Sequence, residues 1–223
     1  QKFDLDSEFK VKDKLLKYVS RGGLKLEKAI QSFNIKLNGC YAVDMGASTG
    51  GFTDCMLMNG ALKVYALDVG YGQLDYKLRV DPRVINMEKT NIRYLDTTLI
   101  EEPIDFISID VSFISLRHMF SVASEILKDT GAVMCLIKPQ FEAGRDQVGK
   151  KGIVRDSKIH VEVIENVISY ASDNGLFPHG LDYSPVKGTK GNIEYLLYLK
   201  KTESSEEISP QEVVNIAHGE LDY

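Results

Sequence analysis

The 223-residue sequence has no apolar run approaching the ~18 residues that a membrane-spanning helix needs; stretches such as 131–137 are strand-sized. Its first twenty residues are charged and contain no apolar core, so no secretory signal is expected there. Cysteine is scarce. Cys40, Cys55 and Cys135 form no C-x-x-C pair, and His118, His160, His179 and His218 stand apart, which argues against a structural zinc or other metal site. Three sparse thiols suit a reducing compartment, where they serve as small buried hydrophobes, and a soluble cytoplasmic protein is expected. Hydrophobic residues at 43% and charged residues at 26% are ordinary globular values and exclude a disordered or collagen-like chain. A chain of this size buries roughly 70% of its unfolded surface, enough for a sizeable core.

The net charge of −5 looks wrong for a nucleic-acid binder, but the charge is unevenly spread. Residues 201–223 hold six acids against the single Lys201 and account for a charge of −5 alone. The first 36 residues hold nine Lys or Arg against five acids, and a second basic stretch from Lys138 to Lys158 includes Arg145, Lys150, Lys151 and Arg155. Two basic segments of this kind point to an anionic substrate.

Apolar residues recur at helical spacing over 8–18 and 22–33, interrupted by Ser20-Arg21-Gly22-Gly23. From residue 40 short apolar runs alternate with helical periods. Strands are expected at 41–44, 63–67, 84–87, 105–110, 132–137, 176–183 and 194–199, and helices at 51–59, 115–127 and 157–173. Strands rich in Val and Ile that alternate with helices predict an α/β fold: a Rossmann-like, seven-stranded, mostly parallel sheet with helices on both faces. The last two runs are separated only by a loop, so they should pair as an antiparallel hairpin at the sheet edge. The expected organisation is a helical segment over 1–36, a main domain over 37–201 and a peripheral acidic tail over 202–223. Beginning at Gln1 without a methionine, the chain reads as one lacking an upstream part.

The first strand runs into Asp44-Met45-Gly46-Ala47-Ser48-Thr49-Gly50-Gly51-Phe52, a D-x-G-x-x-x-G-G turn rather than G-x-G-x-x-G. Glycines between a strand and a helix let a ligand approach the backbone and meet the helix N-terminus. The second strand ends at Asp68, 22 residues beyond Gly46, where a carboxylate can take two ribose hydroxyls. Both features would also suit NAD. Asp44 discriminates, because a carboxylate in this turn repels a pyrophosphate and suits a zwitterionic sulfonium, which favours S-adenosylmethionine. Glu88 or Asn91 after the third strand could reach the adenine, although Thr90 or Asn91 could equally cap a helix. The fourth strand ends in Asp110-Val111-Ser112-Phe113, also at the cofactor end. This is not the proline–aromatic tetrad that grips an exocyclic amine, and no Pro-Cys nucleophile for pyrimidine carbon methylation is present. Hydroxyl methylation leads. The fifth strand delivers Lys138, within Lys138-Pro139-Gln140, to the same end of the sheet, an uncommon place for a lysine.

Tyr18 through Leu26, the Asp44–Phe52 turn, Asp110 through Phe113, Lys138 through Glu142 and Lys190-Gly191-Asn192-Ile193-Glu194 together resemble the TlyA family, over about residues 18–200. Its members are named hemolysins and are similar to the FtsJ/RrmJ ribose methyltransferases. The resemblance implies a 2′-O-methyltransferase that uses S-adenosylmethionine on ribosomal RNA, with a Lys-Asp-Lys-Glu tetrad falling on Lys25, Asp110, Lys138 and Glu194. It implies ribosomal subunits as partners and no metal. Family members usually carry a small RNA-binding domain upstream, which is expected to be missing here.

The chemistry fits that set. A ribose hydroxyl is a poor nucleophile near neutral pH, so attack on a sulfonium methyl benefits from a base and from alignment. Lys138 is the expected base, with positioning of the hydroxyl as its alternative role, and Lys25 the neighbouring cation, with Asp110 and Glu194 orienting the two amines. Glu194 on an edge strand reads by itself as an exposed residue. The cofactor set comprises Asp44, Gly46, Ala47, Ser48, Gly50, Gly51, Phe52, Asp68, Glu88, Asn91 and Asp110. Arg21, Arg145, Lys150, Lys151 and Arg155 are the candidate RNA contacts, with the 142–155 stretch expected to be a mobile loop that closes over phosphates. The competing readings are a methyltransferase acting on a small molecule or protein, an NAD-dependent oxidoreductase, and a membrane-active hemolysin.

Overall fold

The computed structural model describes residues 17–188, 190–205 and 207–221. The helix expected over 8–18 lies almost wholly outside them. Seven strands form one sheet: β1 (Tyr41–Met45), β2 (Lys63–Leu67), β3 (Val84–Met87), β4 (Ile104–Ile109), β5 (Leu127–Ile137), β6 (Phe177–Tyr183) and β7 (Tyr195–Lys200), in the order β3-β2-β1-β4-β5-β7-β6. The first five pair in parallel, and β7 runs antiparallel to both β5 and β6. The hairpin read from the sequence is therefore present. Its antiparallel member lies one strand in from the edge, and β6 is outermost.

Successive residues of a strand face opposite sides of the sheet, so the buried strands feed two cores. On one side Val43, Met45, Ile107 and Ile109 meet α4 (Phe120–Ile126), α6 (Ser157–Ser172) and α7 (Pro210–Glu220). On the other, Ala42, Ala66 and Met134 meet α1 (Gly22–Ser32), α2 (Gly51–Met58) and α3 (Tyr76–Arg79). The acidic tail is not merely peripheral. Ser209 caps α7 and Pro210 opens it, while Val214 and Ala217 are fully buried against α6 and β6.

The turn from β1 to α2 is built around Asp44, whose side chain exposes none of its surface. Its Oδ2 accepts from the Thr53 backbone N–H at 2.9 Å and the Thr53 hydroxyl at 2.7 Å, and its Oδ1 accepts from Ser108 Oγ at 3.0 Å. The carboxylate thus satisfies a first-turn N–H of α2 from inside the sheet and ties β1 to β4. Burial pushes its carboxyl up to about 7, with the Thr53 and Ser108 hydrogen bonds opposing the rise and the Asp110 charge adding to it. Gly46 adopts φ +88°, and a Cβ there would stand 2.5 Å from the Asp110 carbonyl oxygen. A Cβ on Gly51 would stand 2.3 Å from Ser20 Oγ and 2.9 Å from the Gly23 nitrogen. Glycine at 46 lets the turn pass the end of β4, and glycine at 51 lets the 20–23 segment lie directly on the start of α2.

Two stability outcomes follow. Val214→Ala should cost about 1–3 kcal/mol and lower the Tm by roughly 2–9 °C, whereas an unchanged Tm would mean that α7 contributes nothing to the core. Between pH ~4 and about 7 the folded protein holds a proton on Asp44 that the unfolded chain has released, so this group's contribution to stability falls as pH rises through the window and then levels. The Tm of the wild type relative to Asp44→Asn should therefore decline from pH 4 to 7 in parallel scans; curves that stay parallel would mean the folded carboxylate is ionised throughout.

Candidate active site

The carboxyl ends of the parallel strands open into a cavity of about 620 Å³. Its wall is assembled from the 20–25 segment, the Gly46–Phe52 turn, the ends of β4 and β5, and the loop that precedes β7. The antiparallel direction of β7 is what brings its beginning to this edge. Ile137 pairs with Tyr195, so Lys138 and Glu194 are the next residues beyond the same rung.

All four expected catalytic residues line this cavity as two ion pairs. Lys25 Nζ, from α1, donates to Glu194 Oε2 at 2.6 Å. Lys138 Nζ lies 2.5 Å from Asp110 Oδ1 and donates to Ser112 Oγ at 3.0 Å. The lysine–aspartate contact is ionic rather than a directed hydrogen bond, since that oxygen accepts none. Gln140 Nε2 reaches the other oxygen of Glu194 at 3.3 Å. Lys25, Lys138 and Glu194 are buried; Glu194 is only 3% exposed, because β7 is flanked by β5 and β6 instead of forming the sheet edge.

The cofactor candidates divide. Gly46, Ala47, Ser48, Gly51 and Phe52 line the cavity together with Thr49, and Asp110 closes its floor. Asp44 also lines it, although its side chain exposes no surface, while Gly50 stands behind it as the left-handed N-cap of α2, at φ +94°. Asp68 lies just outside the lining, with its carboxylate fixed by the Ser48 and Gly70 N–H groups, each at 2.7 Å. Glu88 and Asn91 are outside the lining and engaged elsewhere. Glu88 pairs with Arg79 and accepts from the Gln73 N–H, and Asn91 caps the short 3₁₀ turn over Ile92–Tyr94, the alternative role read for it.

The basic residues divide as well. Arg21 lines the cavity, whereas Arg145, Lys150, Lys151 and Arg155 are exposed on the loop outside it. That loop is anchored at both ends. At one end, Glu142 accepts from Ser115 Oγ at 2.7 Å and the Leu116 N–H at 2.8 Å, and burial pushes its carboxyl up. At the other, Val154 is completely buried. The loop before β7 supplies two lining cations that composition and spacing did not single out, Lys187 and Lys190.

An aromatic pair also went unread in the sequence. Phe113 is 90% exposed, takes φ +63°, and meets Phe141 with ring centroids 4.8 Å apart at the cavity mouth. An exposed aromatic held in a left-handed conformation is a feature of functional loops rather than of packing. In the sequence it stands three residues after a strand-end aspartate, inside the Asp110–Phe113 block, with nothing to mark it as exposed.

Among the described residues no group of His, Cys, Asp or Glu is arranged to hold a metal ion, and no helix is long and apolar enough to cross a membrane.

Residues 18–201 match the model of the FtsJ-like methyltransferase family. The chain is 47% identical to the Bacillus subtilis protein named as the rRNA methyltransferase YqxC, over 97% of this chain and 78% of that protein. It is 39% identical to the 16S/23S rRNA (cytidine-2′-O)-methyltransferase TlyA of Mycobacterium tuberculosis, over 90% of this chain and 75% of that one. A solved structure from Streptococcus thermophilus, described as a hemolysin, superposes with a TM-score of 0.89 at 52% identity, covering 94% of this chain and 77% of that one. Aeropyrum pernix fibrillarin, solved with S-adenosylmethionine bound, shares the fold at a TM-score of 0.55 and 16% identity, over 78% of this chain and 74% of its own. The chain belongs to the FtsJ-like methyltransferase family.

Proposed function

We propose that this protein transfers a methyl group from S-adenosylmethionine to a ribose 2′-hydroxyl of ribosomal RNA. The observation that carries the reading is the convergence of the Lys25–Glu194 and Lys138–Asp110 pairs in one cavity with the glycine turn. The names of the relatives, an rRNA methyltransferase and a cytidine-2′-O-methyltransferase, support the same substrate.

The turn fits the cofactor. Asp68 beside the turn is oriented by two backbone N–H groups with lone pairs left for ribose hydroxyls. Asp44, Asp68 and Asp110 around the turn favour a cation over a pyrophosphate. We assign Asp44, Gly46, Ala47, Ser48, Gly51, Phe52, Asp68 and Asp110 to hold it. When bound, S-adenosylmethionine supplies a methyl group on an electron-poor sulfonium, open to in-line attack.

The protein's own residues do the rest. Lys138, once it has given up to solvent the proton of its ion pair with Asp110, takes the proton of the ribose hydroxyl at Nζ, and Asp110 balances the ammonium that re-forms. Ser112 fixes the direction of Nζ, and Lys25, held by Glu194, orients the hydroxyl or its neighbouring phosphate. Phe113 and Phe141 offer π faces of the kind on which unstacked RNA bases rest. Arg21, Lys187 and Lys190 at the rim and Arg145, Lys150, Lys151 and Arg155 beyond it supply phosphate contacts, which position the RNA without reading its sequence. This function places the protein with ribosomes in the cytoplasm.

The test is transfer of labelled methyl to ribosomal subunits that lack the modification, with the label mapped by resistance of the modified position to alkaline cleavage. Lys138→Ala should lose about 10²–10⁴-fold in rate while S-adenosylmethionine still raises its Tm. Lys138→Arg, which keeps the charge but cannot take a proton, should be as inactive; substantial activity there would leave Lys138 a positioning role only. Cofactor binding with no RNA labelled would overturn the substrate and favour a small molecule or a protein.

A further inference from the structure

We propose that Asn192 is a positioning residue that couples the turn carrying Lys150 and Lys151 to Glu194, so that RNA phosphates held by the turn are placed in register with the Lys25–Glu194 pair. The inference rests on the RNA reading above and adds to it a residue to which no role has been given.

Asn192 is 2% exposed, and both ends of its side-chain amide are spent on the basic loop. Its Oδ1 accepts from the Val154 N–H at 3.1 Å, and its Nδ2 donates to the Gly152 carbonyl at 2.9 Å. One amide therefore brackets the 152–154 segment as a neighbouring strand's peptide group would. Within the bracket the chain closes on itself, Gly152 N–H to the Gly149 carbonyl at 2.7 Å and Gly149 N–H to the Ile153 carbonyl at 3.1 Å. Lys150 and Lys151 sit on this closed turn, both exposed.

A second tether runs in parallel. His160 Nε2 lies 3.0 Å from the Val154 carbonyl, which can only accept, so that nitrogen carries the hydrogen. His160 Nδ1 then accepts from the Tyr195 hydroxyl, 2.6 Å away. Burial is the largest cause holding the ring's pKa down to about 4, so the ring is neutral near pH 7, and it is this that leaves Nδ1 an acceptor. Val154 is thus fixed through its N–H by Asn192 and through its carbonyl by His160 and Tyr195. Those two attachment points flank Glu194 in the chain, two residues before it and one after.

The physical consequence is rigidity where the composition would otherwise allow freedom. Gly149 and Gly152, the latter at φ +75°, would leave a free loop many conformations, and each phosphate contact made from it would carry an ordering cost. Bracketed, the turn moves with the start of β7. A phosphate contact at Lys150 or Lys151 then fixes the RNA relative to Glu194 and Lys25, and alignment of this kind lowers the barrier to methyl transfer. The rival role for Asn192 is support of Glu194 alone, and the two differ in what they do to RNA binding.

The experiment uses the full chain and purified 30S and 50S ribosomal subunits lacking the modification. Rate parameters and the salt dependence of subunit binding are measured for wild type, Asn192→Ala, Lys150→Ala/Lys151→Ala, and the triple variant. Losing two phosphate contacts should raise KM for the subunit about tenfold and flatten the slope of log affinity against log salt by roughly 1.5. Asn192→Ala should reproduce both effects with a smaller change in kcat, and the triple variant should be no worse than either parent. A fall in kcat with wild-type KM and salt slope would overturn the coupling and leave Asn192 as support for Glu194; so would additive effects in the triple variant, or no effect at all. The Tm shift produced by S-adenosylmethionine reports folding. If Asn192→Ala fails it, Asn192→Asp, which keeps the acceptor for Val154 but presents no donor to Gly152, is read the same way. A wild type that labels neither subunit would overturn the RNA reading itself, which separates that failure from failure of the coupling.

Discussion

Two lysines and two acids withdrawn from water at one sheet edge are a liability unless each charge has a partner. The effective penalty for burying an ion is several kcal/mol, and removing one member of a buried pair commonly costs 3–5 kcal/mol because the other is stranded. The chain meets this constraint by drawing its partners from distant segments. Lys25 and Glu194 are 169 residues apart in sequence and belong to the first and last parts of the domain. Their contact, with the close approach of the 20–23 segment to Gly51, lays α1 across the sheet edge and closes one wall of the cavity. The Lys138–Asp110 pair does the same for neighbouring strand ends. The charges that would carry out the chemistry are also what assembles the cavity around it, so the site and the fold are not separable at this edge.

Charge is zoned around the cavity. Asp44, Asp68 and Asp110 lie beneath or beside the glycine turn, while Arg21, Lys187 and Lys190 stand on the lining and the remaining cations lie farther out. A net charge of −5 is therefore no obstacle to an anionic substrate, because Arg21, Lys187 and Lys190 stand at the opening whatever the balance over the rest of the surface. The same zoning is what the proposed sulfonium cofactor calls for, and a fold shared with so many other enzymes could not specify it by itself.

Much of this was legible in the residues because periodicity and strand-end chemistry are local signals. β2 and β3 fall on the expected residues, and the other strands lie within a residue or two except β5, which begins at Leu127 rather than 132. The start of β5 carries Lys128, Asp129, Thr130 and Gly131, too polar to read as a strand, and a register shift against β4 separates the Leu127 pairing from the one that resumes at Ala132. α7 was hidden for a related reason. The six acids of the 201–223 tail mask it, while its two fully buried positions, Val214 and Ala217, are three apart and too few to outweigh them. Asp44 was legible as special but not in its role. The sequence marks a carboxylate in a glycine turn, and only the three-dimensional positions of Thr53 and Ser108 turn it inward as a strut. Lys187 and Lys190 carry no periodic signal, since their placement depends on where the loop before β7 meets the sheet.

Glu194 shows why strand direction matters as much as strand existence. In a wholly parallel sheet the residue preceding a strand lies at the amino edge, away from the ligand. Because β7 runs antiparallel to β5, its first residues arrive at the carboxyl edge, opposite the end of the strand that delivers Lys138. Its insertion between β5 and β6, rather than outside them, buries Glu194 and gives its charge a reason to seek Lys25. The same direction brings Asn192 and Lys190 to the cavity side and leaves Lys200 at the opposite end of the strand, paired in register with Ala132 and Phe177. A hairpin expected from spacing alone thus carries a functional consequence: reversing one strand puts a fourth charged group where parallel topology could not, and supplies the loop that ties the basic turn to it.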